Sequence, residues 1–187
     1  MDYKIRFATP GDYDWIYALK VESVRPYVEK IWDWDEDYQK EDFDDDFSHM
    51  EQFQVIEVDG KFAGFVQYDT EGRYMEVVEI HLLPEYRGNG IGSDVLRYLQ
   101  KVCIAQDKTI RIGCFKENQR AKVLYQKLGF MQTEETDTHY ILEYPSFSII
   151  PYMKKKTVSS QVKYRNFRQK VQSFLASIIS CNGPVVS

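Results

Sequence analysis

Met75-Glu76-Val77-Val78-Glu79-Ile80-His81-Leu82-Leu83-Pro84-Glu85-Tyr86-Arg87-Gly88-Asn89-Gly90-Ile91-Gly92-Ser93 is the stretch whose reading decides the fold. It opens as an apolar run, with Val77, Val78, Ile80, Leu82 and Leu83, of the kind that forms a buried strand. Pro84 ends the strand, because it has no N–H to donate to a ladder. Gly88, Gly90 and Gly92 follow at alternate positions. Beyond them Ile91, Val95, Leu96, Leu99, Val102 and Cys103 recur at the spacing of one helix face. The unit is therefore a strand, a glycine-rich turn and a helix.

Such a turn lets the backbone adopt positive φ and bring N–H groups close to a ligand. The first helical turn adds orphan N–H donors and the positive end of a dipole. Together they suit a phosphate or pyrophosphate, and Arg87 supplies a planar cation matched to phosphate oxygens. The glycines run G-x-G-x-G, so the dinucleotide fingerprint G-x-G-x-x-G is absent. No lysine follows Gly92, which excludes the G-x-x-x-x-G-K-[ST] loop. The plain alternative is a tight turn that holds no ligand.

A second stretch, Thr109 to Phe130, again reads as strand then helix. Ile110, Ile112 and Cys114 alternate, Ala121, Leu124, Tyr125 and Leu128 mark a helix face, and Gly129 stands where a C-cap glycine belongs. The pattern Arg-x-x-Gly-x-Gly (Arg87, Gly90, Gly92) after a strand ending Leu-Leu-Pro resembles the coenzyme A-binding motif of the GNAT acetyltransferase superfamily. Asn118, Ala121, Leu124, Tyr125, Gly129 and Phe130 resemble that superfamily's Asn-x-x-Ala-x-x-Leu-Tyr-x-x-x-Gly-Phe. Two motifs in the right order make chance a poor explanation.

The rest of the chain is consistent with that likeness. A length of 187 residues suits one domain with a sizeable core. Hydrophobic and charged contents of 43% and 28% are those of a soluble globular protein rather than a disordered one. Cys103, Cys114 and Cys181 are scattered, fitting neither a disulfide framework nor a zinc site, and read as reduced thiols. With no signal-peptide pattern and no apolar run long enough to span a bilayer, the expected location is the cytoplasm. Tyr3 to Ala8 reads as a strand, Tyr13 to Val24 as a helix that Arg25-Pro26 interrupts, and Trp34 to Met50 as a second helix. Gln54 to Val58 and Phe62 to Tyr68 form a hairpin about Asp59-Gly60. Glu71-Gly72 turns the chain into the central strand, and two strands, Phe130 to Thr133 and His139 to Tyr144, close the domain. The sequence alone yields an α/β (α+β) class. The resemblance implies a mixed, twisted, mostly antiparallel sheet with helices on both faces.

The expected domains are an acetyltransferase domain at residues 1–145 and a basic C-terminal extension at 146–187. The extension has no acid but carries Lys154, Lys155, Lys156, Lys163, Arg165, Arg168 and Lys170. Tyr164, Phe167, Val171, Phe174, Leu175 and Ile178 predict an extra amphipathic helix there. It suits docking on the acidic body or exchange in a homodimer, with a membrane surface as the alternative. The net charge of −5 argues against nucleic acid.

For the function, the resemblance implies transfer of an acetyl group from acetyl-CoA to a primary amine by direct attack in a ternary complex. No metal is required, and neither Cys103 nor Cys114 has the partners of a nucleophile. The amine must lose a proton to a base. The superfamily tends to place a strand base six or eight residues before the position of Pro84, which are Val78 and Glu76. Glu76 ranks first, Glu79 second and His81 a distant third. Alternation sets Glu76 on the face opposite Glu79 and His81 unless a bulge intervenes. The strand glutamate of other members falls on Gly113. Tyr125 matches the tyrosine that donates to the leaving thiolate; its plain alternative is a core aromatic. The implied cofactor contacts are Arg87, Gly88, Asn89, Gly90, Ile91, Gly92 and Ser93 at the pyrophosphate, Leu82 and Leu83 through backbone pairing with the pantetheine, and Asn118, Lys122 and Tyr125, with orientation of its helix as the alternative role of Asn118. Between Tyr27 and Phe53, Asp33, Asp35, Glu36, Asp37, Glu41, Asp42, Asp44, Asp45 and Asp46 interleave with Trp32, Trp34, Tyr38, Phe43 and Phe47. A charge run is usually a wet face, yet a minority of these acids turned inward would suit a small cationic acceptor. An aminoglycoside-like polyamine, a peptide N-terminus or lysine, and a non-catalytic acyl-CoA-binding module are the alternatives.

Overall fold

The computed structural model describes residues 2–146. The chain divides into two units, Met1–Tyr152 and Met153–Ser187. The helix predicted from Tyr164 onward lies outside the described residues. Seven strands and four α-helices follow in the expected order: β1 Lys4–Phe7, α1 Tyr13–Trp32, α2 Glu36–Phe47, β2 Phe53–Val58, β3 Lys61–Glu71, β4 Tyr74–Leu82, α3 Ile91–Ala105, β5 Thr109–Phe115, α4 Gln119–Lys127, β6 Met131–Glu135 and β7 His139–Tyr144. The sheet order is β1-β2-β3-β4-β5-β7-β6, antiparallel except for β4 and β5. The fold class is the one expected from the sequence.

The local reasons are visible at the joints. Asp59 and Gly60 take φ of 52° and 73°, the two positive values of a two-residue hairpin between paired Val58 and Lys61. Asp35 caps α2, its carboxylate accepting from Tyr38 N at 3.0 Å, so that helix begins at Glu36 rather than Trp34. Pro26 does not interrupt α1. Proline removes only the bond to the carbonyl of exposed Glu22, which water can serve. Packing on both sides of it, at Ile16, Leu19 and Val28, holds the helix together.

Each sheet face has its own core. Met75, Val77, Ile110 and Ile112 pack with Val95, Leu96, Leu99 and Cys103 of α3 and with Tyr125 of α4. On the other face Phe53, Val55 and Phe65 pack with Ile16 and Leu19 of α1 and with Phe43 and Phe47 of α2. Burying a side chain such as Phe43, 0% exposed, stabilises by roughly 1.5–3 kcal/mol. Two irregularities in β4 position the site. Its partners on β3 jump from Gln67↔Glu79 to Tyr68↔Val77, leaving Val78 as a bulge. Its parallel pairing with β5 stops at Val77↔Ile112, although β4 runs on to Leu82 and β5 to Phe115. The two strands therefore separate beyond that pair and leave a gap between them.

Candidate active site

The bulge sets the faces of β4. Met75 and Val77 before it, and Ile80 and Leu82 after it, all meet the α3 side. Glu76, Glu79 and His81 consequently share the α1/α2 face, and the alternation that would separate Glu76 from Glu79 does not hold here.

Glu79 is tied on both oxygens. One lies 3.3 Å from Lys20 Nζ of α1 and the other 3.2 Å from His81 Nε2. Lys20 also reaches Asp42 and Asp46 of α2, each at 3.6 Å, and lies over the Phe43 ring at 5.4 Å. Its side chain is 8% exposed. Burial alone would lower the Lys20 pKa, but Glu79, Asp46 and Asp42 outweigh it and raise the value. Burial likewise pushes Glu79 up, yet Lys20 and His81 bring it down to about 2. A carboxylate so held is a poor acceptor of an amine's proton. Of the nine acids from Asp33 to Asp46, Asp42 and Asp46 turn inward one helical turn apart, while the other seven are exposed.

Glu76 lies in a row of charges that crosses the sheet: Asp69 beside Glu76, Glu76 beside Arg111, and Arg111 beside Glu143. Arg111 donates from Nε and Nη2 to one Glu143 oxygen, at 3.0 and 2.7 Å, and its guanidinium lies 4.4 Å from the Tyr74 ring. Glu76 stands one residue before the strands separate.

Tyr125 belongs to the opposite core, 6% exposed, with the Phe130 ring at 6.0 Å. Burial raises its pKa, so the phenol keeps its proton at neutral pH and remains a donor. Glu76 and Tyr125 thus lie on opposite faces of the sheet. Cys103 and Cys114 are buried thiols pushed up to about 11, which leaves them inert as nucleophiles. Among the described residues no group of three or more His, Cys, Asp or Glu is placed to hold a metal ion.

At the far end of β4 the glycine turn matches the needs of a pyrophosphate. Gly88 and Gly90 have φ of 83° and 88°, and open space surrounds both where a side chain would stand. No side chain caps α3, leaving the N–H groups of Ile91, Gly92 and Ser93 for an anion at the end of a 15-residue helix. Arg87 is exposed, and its Nε donates to Leu82 O at 2.7 Å. Asn89 is also exposed, its amide 3.5 Å from Glu85 O.

One expected contact is corrected. Leu83 N–H already donates to Ala63 O at 2.9 Å, so it faces β3 and is not free to pair with a pantetheine. Ladder alternation turns the backbone groups of Ile80 and Leu82, not Leu83, toward the open edge. Asn118 Oδ1 caps α4, accepting from Ala121 N at 3.1 Å, which makes it an orienter of that helix. Lys122 Nζ lies 3.3 Å from the Tyr140 ring centre. The sequence reading missed Lys20, whose place among helical residues carried no signal beyond a lysine on an apolar face.

A family model described as "Acetyltransferase (GNAT) family" matches residues 16–130, more than half of the chain. The chain belongs to this family and is an acyltransferase. Over 75 residues it is 32% identical to a thialysine N-epsilon-acetyltransferase of Bos taurus, covering 39% of this chain and 44% of that protein. The chain therefore matches less than half the length of that relative. A PaiA N-acetyltransferase of Thermoplasma acidophilum, solved in complex with coenzyme A, superposes with a TM-score of 0.63 at 19% identity, covering 78% of this chain and 99% of that one. A spermidine N-acetyltransferase of Vibrio cholerae, solved with CoA and spermine, gives 0.60 at 17% identity, with 77% and 95% covered. Among the described residues no helix is long and apolar enough to cross a membrane.

Proposed function

We propose that residues 1–145 form an N-acetyltransferase domain that moves an acetyl group from acetyl-CoA to a small cationic amine by direct attack in a ternary complex. The carrying observation is the gap between β4 and β5, with an uncapped, glycine-lined helix start at one end and a carboxylate-rich face along one side. The names of the thialysine and spermidine acetyltransferases agree with a small amine acceptor.

Acetyl-CoA supplies the activated thioester. Arg87 and the N–H groups of Ile91, Gly92 and Ser93 hold the pyrophosphate, while the open backbone edge at Ile80 and Leu82 takes the pantetheine as an added strand. Glu76 receives the proton that the attacking amine must lose. Glu79, held ionised by Lys20, stays a fixed anion beside the acceptor. As the carbon–sulfur bond breaks, Tyr125 donates its phenolic proton to the departing thiolate.

The test is release of coenzyme A from acetyl-CoA over a panel of amines, with Glu76→Gln and Tyr125→Phe beside the wild type. Saturable turnover on one class of amine, reduced in both variants, is the expected result. Tight binding of acetyl-CoA without turnover of any amine would overturn the reading.

A further inference from the structure

Three buried side-chain atoms among the described residues have no hydrogen-bond partner: Ser23 Oγ, Gln54 Oε1 and Gln67 Nε2. Gln67 adjoins Glu79, and Ser23 lies one helical turn from the Lys20 that Glu79 holds. Gln67, 1% exposed, is the β3 residue paired with Glu79 at the edge of the bulge, on the face that Phe65 turns to α1. Ser23 follows Lys20 by one helical turn and precedes Tyr27 by another. Lys20 rests on β4 through Glu79, and Tyr27 rests on β5 by stacking on Phe115 at 4.9 Å. Ser23 is thereby set over the gap between the two strands. Helical serines commonly bond a carbonyl one turn back, and Ser23 does not.

Buried donors left unpaired are costly, and native proteins keep them where something else completes them. Lys20 cannot be that partner, since it is a donor itself and three carboxylates surround its ammonium. An amide Nε2 donates only, and a hydroxyl can donate. Gln67 Nε2 therefore calls for an acceptor oxygen, and Ser23 Oγ is able to donate to the same one. The charges beside them, Asp42, Asp46 and Glu79 against Lys20, leave an excess of negative charge that suits an ammonium. A plain polyamine would satisfy the carboxylates and leave the Gln67 amide donor unpaired.

We propose that Gln67 and Ser23 form an acceptor subsite for an oxygen carried next to an ammonium, so that the preferred acceptor is an amino-acid-like amine rather than a plain diamine. This rests on the acetyltransferase reading above and adds to it the acceptor's second functional group.

Lysine, lysinamide and cadaverine present the same terminal primary amine on comparable chains, and cadaverine lacks the oxygen. With acetyl-CoA saturating, lysine or lysinamide is expected to exceed cadaverine in kcat/KM by roughly tenfold to a hundredfold, the range for a hydrogen bond to a charged or strongly polar group. Preference for lysine over lysinamide identifies a carboxylate as the source of the oxygen; equality identifies a carbonyl. In Gln67→Leu and Ser23→Ala the ratio to cadaverine is expected to fall toward one. Gln67→Glu, similar in volume, is expected to reverse the ratio for lysine by repelling its carboxylate. Calorimetric titration of the same three amines into the CoA-loaded protein should give the same order. Binding preference without turnover would sink the acetyltransferase reading and leave the subsite standing. Cadaverine equal or superior, a ratio unmoved by the variants (water alone on these donors), or no binding of lysine or lysinamide at millimolar concentration would each overturn the subsite.

Discussion

Replacing Lys20 by Met removes the one cation among Glu79, Asp46 and Asp42 while nearly conserving side-chain length. Breaking a buried ion pair from one side costs about 3–5 kcal/mol, because the partner charge stays buried and uncompensated. For a chain of this size that lowers the melting midpoint by roughly 6–20 °C. The pH dependence separates charge from packing. In the wild type Glu79 is held below its ordinary 4.5, at about 2, so its contribution is complete above 4.5 and is lost as pH falls toward 2. Lys20 is held above its ordinary 10.5, so its contribution is complete below 10.5 and is lost only in stronger alkali. Between those limits the pair's contribution is flat. In Lys20→Met the Glu79 pKa rises, and acidification toward 4 to 5 replaces the missing ammonium with a proton. The deficit measured by urea unfolding, followed by circular dichroism, should be largest near pH 7 and shrink at pH 4.5. Adding Glu79→Gln should recover part of it at pH 7. A deficit under about 1 kcal/mol, or one equal at both pH values, would refute the charge argument and leave only packing.

Gly64→Ala should destabilise by about 1–3 kcal/mol in the same assay. Its new Cβ would clash with His81 O and stand 2.9 Å from Leu82 Cα, backbone atoms that cannot rotate away. A melt unchanged within error would contradict that close approach of β3 to β4. Arg87→Ala should weaken coenzyme A binding by roughly tenfold to a hundredfold and flatten its salt dependence, read by calorimetry at two ionic strengths. Gly90→Ala, at φ 88°, should add about 1–2 kcal/mol of backbone strain to the same turn. Glu76→Gln and Tyr125→Phe should each lower kcat by about a hundredfold or more while KM for acetyl-CoA moves far less. A raised KM with kcat unchanged would instead assign them to binding.

Much of the fold was legible because its signals are local. Asp59-Gly60 names its hairpin through the positive φ that both residues adopt, and the glycines at 88 and 90 name their turn in the same way. The spacing of Val95, Leu96 and Leu99 names the buried face of α3 from helical geometry alone. Pro26 misled for the opposite reason. Its local cost is real, but the tertiary contacts of α1 on either side outweigh it, and no window around residue 26 contains them.

The candidate site divides along the same line. The glycine turn at 88–92 and the helix α4 could be read from the chain, because each is one contiguous segment. The assignment of roles among the carboxylates could not. The bulge at Val78 is set by how β3 and β4 pair, and it alone puts Glu76 and Glu79 on one face. Lys20 reaches Glu79, Asp42 and Asp46 from another element, and that folded contact, together with His81, holds Glu79 ionised. The unpaired Gln67 and Ser23 are likewise defined by what does not reach them. Sequence by itself determined the elements, their order and the family, since these rest on periodicity and on φ, which neighbouring residues control. The tertiary structure decided which charges are buried and paired, since burial and Coulomb energy depend on distances between residues remote along the chain.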